Sequence, residues 1–179
     1  SSLEIAHTPP KLRALSIHNG TIYRWNRPCY GITKGKPHLR IECRYLPSGP
    51  TILDQVANSA FWIGLMMGLP EKYKGISAIM DFDDARSNFI KAARMGLGAQ
   101  FKWMNGKRIP AKQLILEELI PIAEDGLIRA NIPVQESKRY LDIIRERVAS
   151  EKTGSQWIRD TFSNFKKKGT TQDALLQTT

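Results

Sequence analysis

At Pro47-Ser48-Gly49-Pro50 this chain changes its hydrophobic period, and that break constrains the fold more than any other feature. Before it, side chains alternate in short segments rich in arginine, tyrosine and tryptophan. After it, apolar residues recur every third or fourth position. Alternation puts neighbours on opposite faces of a strand, whereas the longer period stacks them along one side of a helix. The chain is therefore expected to be α+β: a short antiparallel β-element over residues 1–50, a helical bundle over 51–168, and a flexible tail over 169–179.

Within the first part, residues 1–16 read as an irregular lead-in broken by Pro9-Pro10. Thr21 to Arg27 favours a strand that stops at Pro28. Gly31 to Pro37 holds two glycines, two lysines and a proline and predicts a loop. His38 to Leu46 is the second strand. Two strands make a poor sheet, so this element is expected to belong to a larger one. The absence of an initial methionine suits a processed fragment.

The helical part divides at its own punctuation. Thr51 to Gly68 is a helix with Thr51 as N-cap. Asp83 caps a helix that ends at Gly96. Phe101 to Arg108 is a connection with a turn at Asn105-Gly106. Ala111 to Ala130 forms a helix that Pro121 kinks or splits. Gln135 to Ser150 and Thr153 to Lys168 complete the set, the last with Trp157, Ile158, Phe162 and Phe165 facing inward.

Composition is ordinary, 41% hydrophobic and 25% charged, but the net charge is +10. Residues 1–50 hold eight Lys or Arg against two acids, six of the ten excess charges; elsewhere only Lys166-Lys167-Lys168 stands out. A phosphate-bearing partner is implied, and charge leaves open whether it is a nucleotide or a nucleic acid. The best apolar run, Ala60 to Leu69, is shorter than the roughly 18–20 residues of a membrane span, so no membrane partner is expected. Cys29 and Cys43 form neither a disulfide framework nor a metal-ligand spacing. A cytoplasmic setting is the expectation.

Strand alternation places His38, Arg40, Glu42 and Arg44 on one face and Leu39, Ile41, Cys43 and Tyr45 on the other, which would pack on the helices. A carboxylate between two arginines suits a site where the carboxylate meets Mg²⁺ and the guanidiniums grip anionic oxygens. An exposed ion-pair ladder explains the same spacing equally well. Arg27 would add a further cation were the two strands paired, and Tyr23 or Trp25 could flank a base or serve as core.

Tyr23-Arg24-Trp25-Asn26-Arg27-Pro28 followed by Leu39 to Arg44 resembles the paired strands of glutamate–cysteine ligase-like carboxylate–amine ligases. Arg40-Ile41-Glu42-Cys43-Arg44 also resembles a strand of glutamine synthetase, whose superfamily includes those ligases. Asn88 to Leu97 is similar to the ligases' Asn … Ala-x-Arg-x-Gly-Leu, and Gly106 to Ala111 continues the match in order. The resemblance runs from about His18 to Trp157.

It implies ATP and Mg²⁺ as cofactors, with Glu42 the metal ligand, Arg27 and Arg40 at the ATP phosphates, and Arg44 at the substrate carboxylate or the phosphoryl group in transfer. It puts His18 near the nucleotide, where the residue reads equally as a local hydrogen-bonder, and gives no chemical role to Asn88 or Arg94, of which helix-packing or capping work is expected. The implied reaction joins glutamate to an amine such as cysteine through an acyl phosphate. Other metal ligands would come from a missing N-terminal half, so the chain alone is expected to be inactive. In the chain alone its strand edges would either pair with a second copy as a homodimer or be partly disordered. The competing expectation is a nucleic-acid-binding module tracking phosphates with Arg24, Arg27, Lys34, Lys36, Arg40 and Arg44. Glu42 in the middle of that face makes nucleic acid the less favoured partner. A third reading is a non-catalytic interaction domain.

Overall fold

The computed structural model describes residues 9–21, 25–46, 48–169 and 171–178. The architecture is α+β, and the chain divides into two compact units, Ser1–Ser48 and Gly49–Thr179.

The first unit contains helix α1 (Arg13–Thr21) and strands β1 (Asn26–Thr33) and β2 (Lys36–Cys43). The first strand begins where it was expected to end. Pro28 lies inside it, and the anticipated loop shrinks to the two residues Lys34 and Gly35. Both have positive φ, 50° and 74°, the requirement of the tight hairpin turn whose twist matches its strands. Helix α1 replaces part of the irregular lead-in and takes in Thr21. Residues 1–8, and Tyr23 and Arg24 of the expected strand, lie outside the described residues.

Hairpin geometry explains how two prolines are tolerated. Closing the turn makes Thr33 and Lys36 a hydrogen-bonded pair, and the pattern alternates from there. Pro28 opposite Ile41 and Pro37 opposite Ile32 then fall on non-bonded pairs, where an N–H would point away from the partner strand. The Arg44 N–H donates to the Trp25 carbonyl at 2.8 Å, continuing the same alternation past the strand end.

The second unit is mostly helical: α2 (Ile52–Lys72), α3 (Phe82–Met95), a small hairpin of β3 (Gln100–Lys102) and β4 (Arg108–Pro110), then α4 (Ala111–Leu114), α5 (Ile120–Arg129), α6 (Val134–Ser150), α7 (Gly154–Lys168) and α8 (Thr171–Thr178). The Thr51 hydroxyl accepts from the Asp54 N–H and caps α2. The α3 cap is Asp81, two residues earlier than expected, accepting from the Asp83 N–H. The Phe101–Arg108 connection is in fact the β3–β4 hairpin around the expected Asn105-Gly106 turn. The tail anticipated to be flexible forms α8, which packs on α7.

The core consists of Ala57, Ile120, Ala123, Leu127, Leu141, Ile144 and Val148. Each fully buried Leu or Ile contributes about 2 kcal/mol. Helices α2 and α5 approach backbone to backbone. A Cβ at Gly64 would meet the Ala123 carbonyl, one at Gly68 the Ile122 carbonyl, and one at Gly126 the Gly64 carbonyl. Small residues at these positions are what let the helices touch.

By length and composition α2 is apolar enough to cross a membrane, with a mean hydropathy of 1.2. This corrects the expectation that no segment reaches a span; its Ala57, Gly64 and Gly68 are buried on the side that meets α5, while Ile52, Leu53, Ile63, Met66 and Met67 stay exposed. Pro121 interrupts the third predicted helix, since it lacks the N–H of a regular turn: the turn before it, Ile115–Leu119, takes the wider π form. That turn carries Glu118, which accepts hydrogen bonds from the Tyr73 hydroxyl and from Trp103 Nε1 at 2.6 Å. At the opposite end of α2, Arg147 of α6 binds Asp54 at 2.7 Å and Asn58 at 2.7 Å.

Candidate functional site

Directly opposed residues of an antiparallel pair share a face. The register pairs Arg27 with Glu42, Cys29 with Arg40, and Gly31 with His38. One face of the hairpin therefore carries Arg27, Cys29, His38, Arg40 and Glu42. The other carries Pro28, Tyr30, Ile32, Leu39 and Ile41. Leu39 is 63% exposed, Ile32 49% and Ile41 41%, whereas the sequence placed Leu39 and Ile41 against the helices.

On the polar face Glu42 is shared. Its Oε2 lies 2.6 Å from Arg27 Nε and 3.1 Å from Arg44 Nε. The side chains are only part-exposed, 25% for Arg27, 22% for Arg44 and 40% for Glu42. The Arg27 guanidinium is held above its ordinary range: desolvation pulls it down, but the charges of Cys29 and Glu42 and their hydrogen bonds outweigh that. It is a permanent cation. Arg40 is exposed and enters no ion pair among the described residues. The cluster thus has three guanidiniums and one carboxylate, an arrangement that attracts anions with several oxygens.

A magnesium ion would find one suitable group here. Glu42 Oε2 is taken by the arginines, so a metal would have to be met by its Oε1. Among the described residues no group of three His, Cys, Asp or Glu could hold one. Glu42 fits as a single ligand in a site completed by phosphate oxygens, water and further carboxylates.

Of the other sequence candidates, His18 lies on α1, exposed, and on neither strand. His38 Nε2 lies 3.0 Å from the Thr33 hydroxyl, and its ring covers Gly31, where a Cβ would come 2.6 Å from His38 Cε1. It is thereby turned towards the hairpin end and not towards Glu42. Asn88 acquires a structural role: its amide donates to the Lys102 carbonyl at 2.7 Å and accepts from the Lys102 N–H at 3.0 Å, filling the edge of β3. Arg94 lies in an open groove of about 500 Å³ along α3 with Arg86, Ser87 and Lys91.

Sequence reasoning missed Cys29. Its Sγ lies 3.8 Å from Glu42 Oε2, on the polar face, while Cys43 is on the other. The miss follows from ending the first strand at Pro28, since only a strand running through the proline brings residue 29 opposite Arg40.

No protein family model, no curated protein and no solved structure matches this chain.

Proposed function

We propose that this chain is the C-terminal part of an ATP-dependent carboxylate–amine ligase of the glutamate–cysteine ligase type, acting as one wall of a phosphoryl-transfer site. The observation that supports it is the part-exposed hairpin face on which Arg27 and Arg44 share Glu42 and Arg40 stands beside them. Such a face offers fixed positive charge where a transferring phosphoryl group spreads negative charge over its oxygens.

In this reading Arg27 and Arg40 orient the ATP phosphates by paired N–H donors. Arg44 holds either the glutamate carboxylate or the phosphoryl group in transfer. Glu42 keeps both neighbouring guanidiniums in place and offers one oxygen to Mg²⁺, which supplies charge neutralisation when bound. The γ-phosphoryl group moves to the carboxylate, and the amine of cysteine or a similar acceptor then displaces phosphate. His18 belongs to this set only through the sequence resemblance. With a single carboxylate the site is incomplete, and the remaining ligands would come from an N-terminal half.

The exposed Trp25 (55%) favours the second reading, in which the same arginines track a single-stranded nucleic acid with an aromatic platform. Calorimetric titration separates the two. The ligase reading expects weak, Mg²⁺-dependent binding of ATP and no phosphate release with glutamate and cysteine. Tighter binding of an oligonucleotide, falling steeply with salt, would overturn it in favour of the nucleic-acid module. Phosphate release by this chain alone would show that the site needs no second wall.

A further inference from the structure

Helix α7 was expected to turn its aromatic face into a core, and it does not. On a helical wheel Trp157, Ile158, Thr161, Phe162 and Phe165 share one arc, which Lys168 enters only at the last residue of the helix, and the other polar residues, with Arg159, Lys166 and Lys167, cover the rest. A helix segregated this sharply normally buries its apolar side. Here no residue of α7 is buried. Phe162 and Phe165 are half-buried, whereas Trp157 is 58% and Ile158 51% exposed. Its principal neighbour, α8, adds Leu175 and Leu176, exposed by 54% and 72%.

Charge indicates what covers this surface. Gly154–Lys168 contains four basic residues, Arg159 and Lys166 to Lys168, and one acid, Asp160. Asp160 accepts from Gln156 at 2.7 Å on the same helix. The three lysines form the last turn of α7, are exposed, and make no ion pair among the described residues. A second copy would bring the same lysines with it, and an aqueous anion would leave Trp157 and Ile158 in water. A surface that is anionic at its boundary and apolar just beneath satisfies both halves. An exposed tryptophan and isoleucine on one side, lysines at the end and low overall hydrophobicity are the combination found in helices that lie in a membrane interface.

We infer that α7, together with the α8 packed on it, is a docking element for an anionic lipid surface, lying in the interface and not crossing it. The expectation of no membrane partner came from searching for a spanning run, a test that a short interfacial helix does not meet. The element is separate from the arginine face of the hairpin and does not depend on the ligase reading. Each lysine near an anionic leaflet strengthens binding about fivefold, so the cluster accounts for roughly a hundredfold.

The test is co-sedimentation of the whole chain with vesicles of phosphatidylcholine alone and of phosphatidylcholine mixed with phosphatidylglycerol. Binding is expected only to the mixed vesicles, weakened by salt. Trp157→Phe should remove a blue shift of tryptophan emission that the native chain shows on binding. The triple variant Lys166→Gln, Lys167→Gln, Lys168→Gln should lose roughly a hundredfold in affinity with an unchanged helical circular dichroism spectrum. Equal binding to neutral vesicles, no binding at all, or undiminished binding by the triple variant would each overturn the proposal. So would binding of polyuridylate through the lysines with no response at Trp157, which would assign the cluster to nucleic acid.

Discussion

Arg27 and Glu42 face each other directly across the hairpin, Nε 2.6 Å from Oε2, and Arg44 reaches the same oxygen at 3.1 Å. One carboxylate oxygen thus restrains two cations that would otherwise repel each other, and in the proposed function the second oxygen meets Mg²⁺. Glu42→Gln should therefore change binding more than folding. Part-exposed ion pairs contribute up to about 1 kcal/mol, so the hairpin should persist. Calorimetry should show that Mg²⁺ no longer improves ATP binding, while ATP without metal binds at least as well as before. An unchanged Mg²⁺ effect would rule out Glu42 as a metal ligand.

The turn makes a separate prediction. Lys34 adopts φ of 50° and Gly35 φ of 74°, and lysine is a poor residue for its position. Lys34→Asn should stabilise the first unit by about 0.5 kcal/mol, whereas Gly35→Ala should destabilise it by about 1 kcal/mol. Amide hydrogen exchange across β1 and β2 would report both.

The glycine contact between α2 and α5 leaves no room for a methyl group. Gly126→Ala places a carbon against the Gly64 carbonyl and the Gly68 backbone nitrogen, neither of which can rotate away. A loss of about 3 kcal/mol is expected, seen as a lower midpoint in urea. Gly98→Ala, with nothing nearby, should lose less than 1 kcal/mol and serves as the control.

Tyr73 supplies a pH signature. Desolvation, and then its hydrogen bond to Glu118, push its pKa up to about 12, above the usual value of about 10. A raised pKa means that the neutral phenol is favoured in the folded state. Its contribution is complete below about pH 10 and is lost as pH rises towards 12. Ultraviolet titration of tyrosinate should show one group ionising late, and Tyr73→Phe should remove that step.

Acid should act on the other end of α2. The hydroxyl of Thr51, opposed in part by desolvation, and then Arg147 hold the Asp54 carboxyl below its usual range. A depressed pKa contributes stability that is complete above the unfolded value of about 4 and disappears as pH falls through the folded one. Asp54→Asn should lower the unfolding midpoint at neutral pH and flatten its decline in acid.

The sequence by itself determined the change from strands to helices at Pro47–Pro50, because local alternation and helical period are written in consecutive residues. It also determined most helix spans, the Thr51 cap, the split at Pro121, and the sharing of one face by Arg40 and Glu42. Tertiary structure decided what depends on partners distant in the chain. Pro28 reads locally as a strand stop, and only its pairing with Ile41 shows that it needs no donor there. That shift brings Arg27 opposite Glu42 and carries Cys29 onto the same face. The Asn105-Gly106 turn was legible, but three-residue strands on either side are too short to announce themselves before Asn88 fills their edge. The arc of α7 was equally legible as an apolar stripe. Amphipathicity specifies that a face must be covered and says nothing of what covers it, so only the fold shows that this chain's own core does not.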